Sequence, residues 1–188
     1  MSRPAGVVLA HGAGSDREHP ALLAIEAALA PLPVERFDFP YRKRGPRRPP
    51  DRAPVLVAAV VEAATGLATR IGTGTDRLAL GGRSMGGRMC SMAVAEGLPA
   101  AGLVLISYPL HPPGRPEALR TAHLPDVRVP CLFVSGTRDP FAAPAELEAA
   151  TSAIPGPVTH RWVDGGRHDL RGADDEVAGV VAAWLADR

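Results

Sequence analysis

A serine set among glycines is the first place where this chain could do chemistry. Ser84 stands in Leu78-Ala79-Leu80-Gly81-Gly82-Arg83-Ser84-Met85-Gly86-Gly87-Arg88, an apolar run that ends in glycines and passes through the serine into a helix-like segment. Gly82-x-Ser84-x-Gly86 at a strand-to-helix turn reads as a nucleophile elbow. A serine held on so tight a turn has a strained backbone. The residues two before and two after it crowd together, which leaves no room for side chains there. The turn lifts the hydroxyl off the sheet edge and aims the N-terminus of the next helix at it. Glycine-rich turns also close ordinary βα units, so the motif needs partners before it means catalysis.

A serine nucleophile needs a base, and the base needs an orienting carboxylate. Asp139 lies in Ser135-Gly136-Thr137-Arg138-Asp139-Pro140, and His168 lies in Asp164-Gly165-Gly166-Arg167-His168-Asp169. Each stretch follows a different apolar run. The chain order serine, acid, histidine is one in which such triads occur, and a triad is recognised by shared geometry rather than by spacing. Alone, Asp139 would merely cap a turn before Pro140, and His168 would be one of six histidines. Asp164 and Asp169 are rival carboxylates, but an adjacent residue rarely reaches back to its neighbour's imidazole. His160 lies within a strand and reads as structural. Acyl transfer also needs two donors where negative charge develops. Met85 N–H, at a helix start, is one. Ala13 N–H, in the turn His11-Gly12-Ala13-Gly14, is the other. His11 and Arg83, beside these groups, are candidates to touch the substrate.

These residues have to be carried to one edge by regular elements. Apolar runs at 6–10, 34–39, 77–80, 103–107, 131–135 and 158–163 read as strands. Helical composition at 21–30, 55–70, 85–96, 145–153 and 174–186 alternates with them. The segments 41–54 and 108–130 are rich in proline and read as loops. This alternation predicts an α/β fold, a doubly wound, mostly parallel sheet of about six strands with helices on both faces. In such a sheet ligands sit at the carboxyl ends of the strands, where the groups named above all fall. The 188 residues fit a single domain, with no repeat and no linker.

Composition narrows the classes. Hydrophobic residues make up 46% of the chain but aromatics only 4%, so the core is built from aliphatic side chains, as suits a parallel sheet wrapped by helices. A formal net charge of +1 gives no global field for nucleic acid or membrane. Cys90 and Cys131 form no framework and fit buried free thiols in a reducing, cytoplasmic setting. No signal peptide is read at the N-terminus, and no stretch is read as approaching the roughly 18 apolar residues of a membrane span. No His/Cys cluster has metal-ligand spacing, and no cofactor is implied. Gly12-Ala13-Gly14-Ser15-Asp16-Arg17 opens like a dinucleotide-binding turn, with Asp38 ending the next strand. Arg17 stands where the third glycine belongs, which leaves that reading weak. The one concentration of charge is Tyr41-Arg42-Lys43-Arg44-Gly45-Pro46-Arg47-Arg48-Pro49-Pro50-Asp51-Arg52. It is either a solvated loop or a border of the pocket, with Arg47 and Arg48 receiving an acidic group.

With these residues assembled, the chain resembles the α/β-hydrolase superfamily over nearly its whole length. It looks closest to the small, capless, dienelactone-hydrolase-like branch. More narrowly it is similar to a family shared by bacterial hydrolases and by animal proteins that include a chromatin-complex subunit. The segments that carry the resemblance are His11-Gly12-Ala13-Gly14, Gly82-Arg83-Ser84-Met85-Gly86-Gly87-Arg88, Tyr108-Pro109-Leu110-His111-Pro112-Pro113, Ser135-Gly136-Thr137-Arg138-Asp139-Pro140 and Gly166-Arg167-His168. The resemblance implies Ser84 as nucleophile, Asp139 as orienter and His168 as base, and a sheet that lacks the usual first two strands. Dienelactone hydrolases use a cysteine where this chain has Ser84, which weakens any inference of dienelactone as substrate. The expectation is a serine hydrolase that cleaves a small-molecule ester or thioester through an acyl-enzyme, in a shallow, open pocket. The alternative is a non-catalytic interaction module that keeps the fold. An intact set of site residues argues against it.

Overall fold

The computed structural model describes residues 3–45 and 47–188. Six parallel strands form one sheet: β1 (Gly6–Ala10), β2 (Val34–Phe37), β3 (Leu78–Arg83), β4 (Gly102–Ile106), β5 (Cys131–Gly136) and β6 (Val158–Val163). Their spatial order is β2-β1-β3-β4-β5-β6. Side chains alternate along each central strand, and both faces are apolar because both are covered. Val7, Leu9, Ala79, Val104 and Ile106 face one layer, made by α1 (Pro20–Leu29) and α6 (Asp174–Ala186). Val8, Ala10, Leu80, Leu105 and Phe133 face the other, which includes α3 (Ala53–Ile71), α4 (Met85–Ala95) and α5 (Pro144–Thr151) when the helices are numbered in chain order.

The strand order reverses between β1 and β3. The chain leaves β1 toward α1 on one face and leaves β3 toward α4 on the other. The two departing segments splay apart and open a crevice at the carboxyl ends of these strands. The turn after β1 and the elbow after β3 are the walls of that crevice.

Three expectations change. First, β3 does not stop at Leu80. Its ladder with β4 continues through Gly81↔Val104, Gly82↔Leu105 and Arg83↔Ile106, because the glycines serve close packing here and not a turn. Second, the segment expected to be a loop from residue 41 begins with a helical turn, α2 (Pro40–Lys43), with Pro40 in its first turn. Tyr41 is buried in it and packs beside Phe39 and His11. Third, α3 is 19 residues long, with Glu62 and Arg70 its only charges, and by length and composition it is apolar enough to cross a membrane. The sequence reading overlooked this because alanine, glycine and threonine dilute the apolar run. In the fold one stripe of α3, carrying Leu56, Val57, Val60, Ala64 and Leu67, packs into the core.

Candidate active site

Ser84 stands between β3 and α4 with φ 51° and ψ −119°, a left-handed φ that a non-glycine residue adopts only under constraint. The constraint is visible. Ser84 N–H donates to Ile106 O of β4 at 2.7 Å, and Ser84 O accepts from Arg88 N–H at 3.1 Å. Beneath the turn the chain passes directly over the end of β1. A Cβ on Gly82 would lie 2.1 Å from Ala10 O, and one on Gly86 would lie 2.3 Å from the same oxygen. The glycines two before and two after the serine are therefore needed for one reason: both press on a single carbonyl.

Three strands supply the polar row. Asp139 follows β5 and is 4% exposed. Its Oδ1 accepts from Phe141 N–H at 2.8 Å, which fixes the carboxylate plane. His168 follows β6, three strands from β3, so its loop has to reach back across the sheet by roughly 14 Å at the usual strand spacing. His168 Nδ1 lies 2.8 Å from Asp139 Oδ2 and 3.0 Å from Oδ1. An ionised carboxylate can only accept, so Nδ1 carries the proton and Nε2 offers its lone pair. Ser84 Oγ sits 2.8 Å from that Nε2. Two further contacts hold the ring. Phe141 stacks on it with centroids 3.9 Å apart. Arg83 Nη2 donates to His168 O at 3.0 Å, tying the loop after β6 to the end of β3.

The rival carboxylates turn outward. Asp164 accepts from the Thr137 hydroxyl at 3.3 Å, and Asp169 is exposed beside Arg171 N. His160 packs between Phe133 and Trp162 and bonds Thr151 Oγ1 at 3.0 Å, away from the site.

The turn after β1 lies against the elbow: a Cβ on Gly12 would be 3.5 Å from the Ser84 Cβ. The N–H groups of Ala13 and Met85 have no acceptor among the described residues. His11 is fully buried and is not among the residues lining the cavity, so it cannot touch a substrate as expected. Burial lowers its pKa, against the Gly12 carbonyl and the carboxylates of Asp38 and Asp16, which raise it. Its Nε2 accepts from Phe39 N–H at 3.2 Å, which puts its one proton on Nδ1, 2.8 Å from Gly12 O. That carbonyl belongs to the same trans peptide as Ala13 N–H. Engaging the oxygen on one side aims the N–H the opposite way.

A cavity of about 430 Å³ opens at Ser84, lined by Ala13, Met85 and His168 near the serine and by Leu56, Arg88 and Arg120 beyond. The loop between β4 and β5, through Pro109 and Arg120, and the start of α3, through Ala53 and Leu56, form its far walls. Arg83 lines it, as expected, while its Nη2 donates to the His168 carbonyl. Arg47 and Arg48 border a separate hollow with Gly45 and Pro49 and not this cavity. Sequence reasoning missed Phe141, Arg88 and Arg120. Only Arg88 had a signal, its place one helical turn after Ser84. Among the described residues, no three His, Cys, Asp or Glu side chains converge as a metal site would.

A parallel sheet with a strained serine at the crevice and an imidazole and carboxylate in line with it defines the hydrolase class built on this architecture. The chain belongs to the family described as the alpha/beta hydrolase domain, whose pattern it matches over residues 3–179. Among solved structures, it is similar to a dienelactone hydrolase from Anabaena variabilis, with TM-score 0.74 and 21% identity, over 98% of this chain and 87% of that one. It is also similar to a monoacylglycerol lipase from Paleococcus ferrophilus, with TM-score 0.72 and 15% identity, over 100% and 96% of the two chains. A third is the esterase domain of a Rhodothermus marinus protein, with TM-score 0.70 and 18% identity, over 99% and 88%. At these identities the likeness is one of fold.

Proposed function

We propose that this hydrolase cleaves small esters or thioesters through a Ser84-His168-Asp139 triad. The observation that carries the reading is the pair of 2.8 Å contacts, Ser84 Oγ to His168 Nε2 and His168 Nδ1 to Asp139 Oδ2. Ser84 Oγ attacks the acyl carbonyl while His168 Nε2 takes the hydroxyl proton. The carbonyl oxygen becomes an oxyanion, held by the N–H groups of Ala13 and Met85. The tetrahedral adduct collapses, and His168 returns the proton to the departing alcohol or thiol. Water then attacks the acyl-enzyme, giving its proton to the same nitrogen, and collapse frees the acid and Ser84. Asp139 stabilises the imidazolium in both halves and holds the tautomer that can accept from the serine. His11 aims the Ala13 peptide and Arg83 holds the histidine loop. Both are positioning residues.

The test is labelling by a fluorophosphonate, together with turnover of p-nitrophenyl esters of graded acyl length. Wild-type protein is expected to label at Ser84. Ser84→Ala is expected to lose the label and to lower turnover by on the order of 10⁴-fold or more. Equal labelling of the two proteins would remove Ser84 from the mechanism.

A further inference from the structure

The cavity is lined by cations that have no carboxylate within ion-pair distance among the described residues. Three arginines line it, Arg83, Arg88 and Arg120, against one acidic residue outside the triad, Asp51. Arg83 donates to His168 O, and Asp51 is paired with Arg44 at 2.5 Å. Arg88 and Arg120 pair with no carboxylate among the described residues. Arg88 Nε is shut away from solvent with no acceptor. Burial of a donor without a partner is costly, and more so when the group is charged.

The two guanidiniums also act on each other. Burial first, and then the charge of Arg88, lower the pKa of Arg120. Like charges brought together in a half-buried site persist only where the fold holds them. Arg88 lies in the first turn of α4, four residues after Ser84, and lines the same cavity as the serine. Arg120 is held by its backbone, with N–H donating to Leu110 O at 2.8 Å and O accepting from Tyr108 OH at 2.9 Å. Tyr108 stays protonated for that bond, since burial pushes its phenol up to about 12. His123, near Arg88, adds no charge at neutral pH. Burial and the Arg88 charge push it down to about 4. The wall nearby is apolar, with Ala53, Leu56, Met89 and Pro109.

We propose that Arg88 and Arg120 form an anion-binding subsite, and that the preferred substrates are esters or thioesters bearing a carboxylate or phosphate on a short apolar linker from the scissile carbonyl. The proposal rests on Ser84 as nucleophile. The apolar wall takes the linker, and the guanidiniums of Arg88 and Arg120, which line the same cavity, take the anion. Paired donors in a planar fork suit carboxylate and phosphate alike.

The experiment compares kcat/KM for mono-p-nitrophenyl glutarate and p-nitrophenyl valerate, which differ chiefly in one terminal charge. Wild type is expected to favour the glutarate ester, with a preference that shrinks as salt rises. In R88Q/R120Q the glutarate-to-valerate ratio is expected to fall about 10- to 100-fold, mainly through KM, with R88K retaining part of it. An unchanged ratio in the double variant overturns the proposal, as does an equal loss for both esters, which would mark a packing role. A second arm needs no turnover. The melting temperature of Ser84→Ala is measured with glutarate and with inorganic phosphate, with and without the arginine substitutions. A rise that requires both arginines supports the subsite, and the anion giving the larger rise identifies the group. No rise with either anion overturns it. If wild type neither labels at Ser84 nor turns over either ester, the nucleophile reading falls and the melting arm still decides the subsite.

Discussion

A buried carboxylate with its oxygens engaged is hard to replace even by its amide. Asp139 has both oxygens within 3.0 Å of His168 Nδ1, and its Oδ1 also accepts from Phe141 N–H. Asparagine there would put either a neutral oxygen or an NH₂ opposite Nδ1, losing imidazolium stabilisation or forcing the wrong tautomer. Asp139→Asn is expected to lower kcat by about 10⁴-fold. Asp164→Asn and Asp169→Asn, whose side chains face outward, are expected to stay within about threefold, since exposed charges contribute roughly 0–1 kcal/mol. Steady-state kinetics on one ester checks all three, and similar effects at every position would leave the histidine without its acid. The three residues of the row were legible because each ends an apolar run, and strand ends converge in a parallel sheet. Arg120 was not legible. It sits within a proline-rich segment whose path no periodicity reveals. His11 was misread, since a histidine beside a glycine turn gives no sign of whether it faces the cavity or the core.

Elements were legible where side-chain alternation or helical composition was strong and blurred where glycine stood for two different things. Gly81 and Gly82 read as the end of β3, yet both pair with β4. The same residue type sits at Gly86 and Gly179 with opposite consequences. Gly86 opens α4 against β1, and a Cβ there would meet Ala10 O at 2.3 Å and His11 O at 2.6 Å, both backbone atoms that cannot turn aside. Gly179 lies within α6 with nothing inside 4 Å of where its Cβ would be. Gly86→Ala is expected to destabilise by about 3 kcal/mol through overpacking and to displace the elbow, with loss of fluorophosphonate labelling. Gly179→Ala is expected to stabilise by up to about 1 kcal/mol, the ordinary gain of alanine over glycine in an open helix. Urea unfolding of the two variants measures both. A Gly86→Ala protein as stable and as reactive as wild type would mean that the elbow does not rest on β1 as described.

For the molecule as a whole, the topology followed from strict alternation of strands and helices, and the crevice from where the strand order reverses. What alternation could not convey is how many polar groups the folded chain shields. Four histidines, His11, His19, His123 and His160, have lowered pKa values, and burial is the largest cause in each. A histidine that resists protonation when folded binds its proton more readily when unfolded. Its contribution to stability is therefore complete above the ordinary value of 6.5 and is lost as pH falls below it. For His123 the loss runs down to about 4. Its ring bonds Ser91 Oγ at 2.8 Å and lies within the field of Arg88, so protonation there adds a further cation beside those already present. The group keeps some contact with water, which trims its share to on the order of 1–2 kcal/mol. The urea midpoint is expected to fall steadily between pH 6.5 and about 4, and His123→Asn, which cannot be protonated, is expected to flatten that fall by its share. An identical slope in wild type and His123→Asn would mean that this histidine is protonated in the folded chain as readily as in the unfolded one.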